Sequence, residues 1–252
     1  MSTIIINADD YGLNERNSSA IKEAFQKELI TDTTMLVNFD FFDGAIALAK
    51  EEGFADKIGI HLNLTAGEPL TEAIKRCPRF VSDGVFNKVY NRKRTSPLSK
   101  EEKDAIYTEL TAQVKKLKEA GIAITHADSH HHIHTGVFVA PIVARVCQEN
   151  GITKIRQHRN YGNIPGYKKF VKDRYNRWLK KQGFVTTAYF AYVMDVADAE
   201  IPDNTEIMVH PDFDKDGVLI DRRGMEDGFP IGYPLPDFVK ERNVTLRGFA
   251  EL

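Results

Sequence analysis

The chain has 252 residues, 42% of them hydrophobic, and its 34 basic and 36 acidic residues leave a net charge of −2; that balance gives no electrostatic case for binding nucleic acid or an anionic membrane surface. No apolar run approaches the roughly 20 residues of a membrane span, and no basic region followed by a long apolar stretch marks a signal peptide. Two cysteines, Cys77 and Cys147, are too few for a disulfide framework, so a cytoplasmic protein is expected.

In chain order, the β-branched run from Thr3 to Ala8 predicts a buried strand, Asp9 to Gly12 a turn, and Asn14 to Glu28 a helix with Ala20, Ile21, Ala24 and Phe25 on one face. Thr33 to Asn38 predicts a strand, Asp43 to Glu52 a helix and Ile58 to Leu64 a third strand. The segment from Gly67 to Pro97 is long and irregular, with Phe80, Val81, Val85, Phe86 and Tyr90 giving it hydrophobic content; a lid or wall beside a site is expected of it. Leu98 to Ala120 is the clearest helix, with Ser99 and Glu102 in capping-box positions and Gly121 to end it. A fourth strand is expected over Ile124 to Ser129 and a helix over Val137 to Asn150. Lys154 to Arg156 predicts a short strand, Tyr167 to Lys181 a helix, Thr186 to Val193 either strand or helix, Glu206 to His210 a strand, Asp237 to Arg242 a short helix and Val244 to Phe249 a last strand. This β-α alternation predicts an α/β fold with a parallel sheet or barrel. No repeat or linker divides the chain, which reads as one domain over 1–252.

Five of the eight histidines fall between His126 and His134. In an extended segment alternate side chains share a face, which would aim His126, Asp128, His130, His132 and His134 at one place. Neutral imidazole is the commonest protein ligand for divalent metals, so a metal site is expected here. Parallel α/β folds place chemistry at the C-terminal ends of their strands. Read along that edge, the predicted strands offer Asp9 and Asp10, then His61, then Asp128 and His130, then His210. Singly each has an ordinary explanation: a turn cap for either aspartate, a hydrogen-bonded core residue for His61. Together they form a carboxylate-and-imidazole set that can hold one divalent ion with positions left open for water, as catalytic sites do. One of the paired aspartates can bind the ion while its neighbour accepts a proton. Zinc or manganese suits such ligands better than magnesium.

Four ordered segments, Asn7-Ala-Asp-Asp-Tyr-Gly12, Gly59-Ile-His-Leu-Asn63, Asp128-Ser-His-His-His-Ile-His134 and Val209-His-Pro211, resemble the motifs of the YdjC-like carbohydrate deacetylases, among them the chitooligosaccharide deacetylases. The resemblance runs from about residue 3 to 250. It implies an irregular (β/α) barrel of the polysaccharide-deacetylase-like type, a homodimer, a magnesium ion, and hydrolytic removal of acetyl groups from N-acetylated sugars or oligosaccharides. Carried over, Asp10, His61 and His130 would be the metal ligands, Asp9 the catalytic base and His210 the general acid. Asp128 would orient a ligand histidine or cap the strand turn, His132 and His134 could line the substrate pocket or hold structural hydrogen bonds, and Arg156 could contact substrate oxygens or support the site from behind. His126 reads as buried structure, and His131, on the opposite face of an extended segment, as a poor ligand. One departure stands out: Asp212 to Pro236 is rich in Asp, Gly, Arg and Pro where the family has a longer segment with a helix, so the sugar could differ. Rival readings are a metal-dependent phosphoesterase or cyclic-amide hydrolase, which commonly holds a second metal, and a sugar- or metal-binding protein without turnover.

Overall fold

The computed structural model describes residues 2–87, 96–223 and 235–252; Tyr90 and the stretch 224–234 of the divergent segment lie outside them. Strand β1 runs Ser2–Tyr11, longer than the sequence predicts, so Asp9 and Asp10 belong to the strand and not to a turn. Asn14 then caps helix α1 (Glu15–Gln26) by accepting the Asn17 N–H, and β2 (Asp32–Met35), helix α2 (Phe42–Glu51) and β3 (Ile58–Leu62) follow. The 67–97 segment contains a short helix, Glu72–Lys75, and the two-residue strands β4 (Val81–Ser82) and β5 (Val85–Phe86), which pair as a hairpin. Helix α3 (Lys100–Glu119) begins with the expected reciprocal cap: Ser99 Oγ accepts from Glu102 N at 3.1 Å, and Glu102 Oε2 accepts from Ser99 N at 2.8 Å.

Strand β6 is only Ala127–Ser129, after which His130–Thr135 form a 3-10 turn leading to helix α4 (Ala140–Glu149). Helix α5 spans Gly166–Lys181. The ambiguous run near residue 190 is a strand, β7 (Tyr189–Tyr192), closed by a helical turn, Val193–Val196. Strand β8 (Thr205–Val209) hands over to the antiparallel hairpin β9 (Pro211–Phe213) and β10 (Leu219–Asp221). A helix at Leu235–Glu241 precedes β11 (Val244–Leu246), and the chain ends in a 3-10 turn, Phe249–Glu251.

The main sheet has the order β6-β3-β2-β1-β8-β7, with β11 paired to the start of β1. Every pairing in it is parallel. Parallel strands buried on both faces read as continuous apolar runs, and Ile4, Ile5 and Ile6 of β1 are fully buried. Lys154 to Arg156 form no continuous strand; single bridges join Ala127 of β6 to Ile155 and Lys154 to Val185, ahead of β7. The fold is thus an α/β curled parallel sheet flanked by helices, and all its strand ends that carry ionisable residues point the same way.

Close packing beneath those ends constrains one motif residue. A Cβ on Gly59, in β3, would lie 2.6 Å from the His126 ring and 2.8 Å from the His126 carbonyl oxygen. Glycine inside a strand commonly marks such an approach. Gly59→Ala should therefore lower stability by about 1–3 kcal/mol, the usual cost of overpacking a filled core, as read from urea unfolding midpoints.

Candidate metal centre

Parallel register puts the key side chains together. His61 of β3 lies opposite Asp128 of β6, and the His61 Nδ1 to Asp128 Oδ1 distance is 2.6 Å. Asp128 can only accept, so Nδ1 carries the proton, and the other ring nitrogen turns towards β1. There Nε2 is 3.2 Å from Asp10 Oδ1, and His130 Nδ1 reaches the same oxygen at 2.8 Å. Asp10, His61 and His130 each place a ligand atom within 4.8 Å of the others. A carboxylate behind a histidine fixes its tautomer and raises its basicity as a ligand; Asp128 stands in that position. The donor set therefore fits a divalent ion.

Asp10 owes its aim to the backbone. Its φ is 71°, a left-handed conformation unusual for a residue with a side chain, and the register of β1 against β2 shifts between Ala8 and Tyr11. This irregularity swings Asp10 towards the two histidines while Asp9 turns to a different partner. Arg156 Nη1 and Nη2 donate to Asp9 Oδ2 and Oδ1, both at 2.7 Å. The same guanidinium reaches Asp128 Oδ2 at 2.6 Å and Glu206 Oε1 at 2.5 Å. Arg156 is fully buried. It is absent from the pocket lining and anchors three carboxylates from below, the supporting one of the two roles expected of it.

The charges follow from this arrangement. Burial alone would raise the Asp9 carboxyl, but the Arg156 guanidinium outweighs it and holds the group at about 2. Burial likewise opposes ionisation of Asp10, yet His130 and His61 draw it well below the ordinary carboxylate range. Burial disfavours a charged His61, but Asp128 and Asp10 lift it to about 10. Glu206 goes the other way: burial, beside Asp128 and Asp9, pushes it up to about 7 despite Arg156.

A pocket of about 330 Å³ opens above these residues. Its lining includes Asp9, Asp10, His61, His130, His131, His132 and His210, together with Met208, Arg222 and Arg223. The predicted alternation of the histidine run stops at Ser129. His131 and His132 have φ of 50° and 53°, so the chain coils and His131 comes to the pocket, contrary to expectation, with Thr65 Oγ1 2.9 Å from its Nδ1. His132 does line the pocket and lies 3.1 Å from the Tyr192 hydroxyl. His134 is fully buried beside Ser129 Oγ and is not in the lining. His126 is fully buried beneath β3. None of the described residues of 67–97 borders this pocket, so a lid or wall there is not what they form. Arg222 and Arg223 were missed. Arg222 Nη2 sits 3.6 Å from Asp10 Oδ2, and Arg223 packs 4.2 Å from the Tyr192 ring centre. The only sequence signal for them was the departure of the 212–236 segment from the family pattern.

His210 follows β8 directly. Its backbone N–H donates to Asp221 Oδ1 at 2.8 Å, and its buried Nδ1, 4.0 Å from that same oxygen, has no hydrogen-bond partner among the described residues. Asp9, His61 and Asp128 also have metal-ligand spacing, but the Arg156 guanidinium is bonded to two of the three. A fixed cation already occupies the place where a second metal would be held.

A family model described as YdjC-like protein matches residues 3–237. A carbohydrate deacetylase from Brevibacillus brevis is 29% identical over 99% of this chain and 99% of its own length, and a carbohydrate deacetylase from Listeria welshimeri is 32% identical over 83% and 81%. Among solved structures, a crystal structure of an Enterococcus faecalis protein provisionally named for cellobiose-phosphate cleavage is similar, with a TM-score of 0.71 at 20% identity, over 99% of this chain and 98% of that one.

The buried charge cluster has a measurable pH signature. A carboxyl whose folded value is raised, as Glu206 is from 4.5 to about 7, favours the fold while protonated. That contribution is complete below the unfolded value and is lost as pH rises through 7. Asp32, raised to about 6 by burial, acts with the same sign. Glu206→Gln should remove its share of the fall in thermal stability of the metal-free protein between about pH 5 and 7, leaving the falls that come from Asp32 and, above about 6.5, from His61. Arg156→Met should cost about 3–5 kcal/mol, the penalty for stranding buried partner charges, as measured by chemical unfolding.

Proposed function

Because the chain belongs to the YdjC-like protein family, we propose that it is a metal-dependent carbohydrate deacetylase, an enzyme hydrolysing the amide of N-acetylated sugars or oligosaccharides. The observation that carries the reading is the division of labour between Asp9 and Asp10: adjacent in β1, one faces the His61–His130 pair and the other faces Arg156 while still lining the pocket. A pure binding protein has no need of a second carboxylate beside its ligand. A phosphoesterase or cyclic-amide hydrolase built on two metals is disfavoured by the guanidinium between Asp9 and Asp128.

Asp10, His61 and His130 would hold the ion. A divalent ion bound there supplies Lewis acidity and a water of lowered pKa. With one carboxylate and two imidazoles, we favour zinc or manganese over the magnesium that the family resemblance implies. Asp9 serves as the base. Held at about 2, it is ionised throughout the neutral range. Its Oδ2 accepts from Arg156 Nη1, and that grip keeps the carboxylate in one orientation. His210, at the pocket wall, protonates the departing amine, so the products are acetate and a free amino sugar. Asp128 keeps His61 in its Nδ1–H form, and His131, His132, Arg222 and Arg223 shape the room left for the sugar. The same resemblance underlies our expectation of a homodimer, which sedimentation would read.

Acetate release from N-acetylglucosamine oligomers, measured with zinc, manganese, cobalt and magnesium, tests the reading directly. Asp9→Asn should retain metal affinity and lose about 10²- to 10⁴-fold in turnover, the range for removing a general base. His61→Ala or His130→Ala should instead weaken metal binding in calorimetry. Phosphatase activity dependent on Asp10 with no acetate release would sink the proposal.

A further inference from the structure

His126 stands apart from the pocket, yet both of its ring nitrogens are engaged. Thr125 Oγ1 lies 2.8 Å from Nδ1, and Asn7 Oδ1 lies 3.1 Å from Nε2. The Asn7 carbonyl oxygen can only accept, so Nε2 carries the proton and Nδ1 accepts from the Thr125 hydroxyl. The Asn7 amide nitrogen then points away from the ring. It donates to Asp9 Oδ1 at 2.9 Å and to Thr34 Oγ1 at 3.2 Å. Thr34 in turn donates to Asp128 Oδ2 at 3.1 Å, the carboxylate that holds His61. Each bond in this series has one possible direction. A flipped Asn7 would set its carbonyl oxygen against the Asp9 carboxylate, acceptor against acceptor.

The ring itself is gripped from the far end of the sheet. Phe249 stacks on it, with ring centres 3.7 Å apart and planes 11° from parallel. The Phe249 N–H is held by both oxygens of Asp32, at 3.0 and 3.1 Å, and Lys154 Nζ bonds the carbonyls of Phe249 and Ala250 at 2.5 and 2.8 Å. Gly59 leaves the space into which the ring fits. Burial, with Arg156 nearby, keeps the imidazole neutral by pushing its pKa well below the ordinary value.

We propose that His126, clamped by the C-terminal turn Phe249–Glu251, is a positioning residue for the reaction: it fixes the orientation of Asn7 and, through Asn7, the Asp9 carboxylate at the pocket. This rests on the reading of Asp9 as the base of a deacetylase. The turn Phe249–Glu251, at the opposite end of the sheet from the pocket, thereby bears on how Asp9 is held.

The test compares wild type, His126→Leu and His126→Gln, loaded with manganese, for acetate release from N-acetylglucosamine oligomers and for manganese affinity. Loss of an outer partner commonly costs about 10- to 100-fold, and His126→Leu should lose that much in kcat with KM and metal affinity unchanged. His126→Gln, whose amide can still donate to Asn7, should recover most of it. Nitrogen-15 NMR of the metal-free wild type should find His126 as the neutral Nε2–H tautomer across the neutral range. Wild-type kcat in His126→Leu, a parallel fall of kcat and metal affinity, or an Nδ1–H or protonated ring would each overturn the proposal. If His126→Leu does not fold, Phe249→Leu removes the ring stacked on the imidazole; it should lower kcat with metal affinity unchanged, and an unchanged kcat would count against the proposal. Absence of acetate release by wild type would instead defeat the deacetylase reading, while the tautomer would still report on His126.

Discussion

One buried guanidinium governs this structure. Arg156 lies at the bottom of the site among Asp9, Asp128 and Glu206, with Asp10 just above. Buried ionised groups are costly unless paired, and one positive charge cannot balance four carboxylates. The remainder of the site shows how the excess is met. Glu206 tends to keep its proton, His61 is driven towards its charged form, and Asp10 gathers two imidazoles. A divalent ion entering between Asp10, His61 and His130 would displace the His61 proton and supply the missing positive charge, so the cluster is one that could hold such an ion.

This arrangement explains why adjacent aspartates can do unlike work in one strand. Asp9 meets a permanent cation and is locked into its ionised form. Asp10, turned by its left-handed backbone, meets titratable ones. Strain of that kind persists only where the surroundings over-determine it; here β1 is fixed by β8 on one side, β2 on the other and β11 at its start.

How much the sequence revealed depends on how local the determinant was. Asp10, His61 and His130 were legible because each closes an apolar strand, and parallel strands bring such ends to one edge. The capping box at Ser99 and Glu102 was legible for the same reason: it is written within four residues. The histidine run misled because the expected alternation needs extended backbone through His134, and the chain coils at His131 and His132. Arg156 was legible as a strand-end residue with its role left open, since its partners come from β1, β6 and β8 and none is close in sequence. Arg222 and Arg223 sit just beyond a short hairpin in a segment without periodicity, where no pattern places side chains. Asn7 and Thr34 are ordinary polar strand residues until the fold sets them side by side.

The irregular register of β1 carries a further consequence for how such chains can vary. With Asp9 and Asp10 side by side, a slip of one residue in β1 would move one aspartate into the other's place and leave Ala8 or Tyr11 in the place vacated. Loops around the pocket can lengthen or shorten without touching this, but β1 cannot absorb even one inserted or deleted residue. A change of length that preserves the site would therefore have to fall in the connections, and the ten residues of the central strand act as a fixed ruler from which the rest of the site is measured.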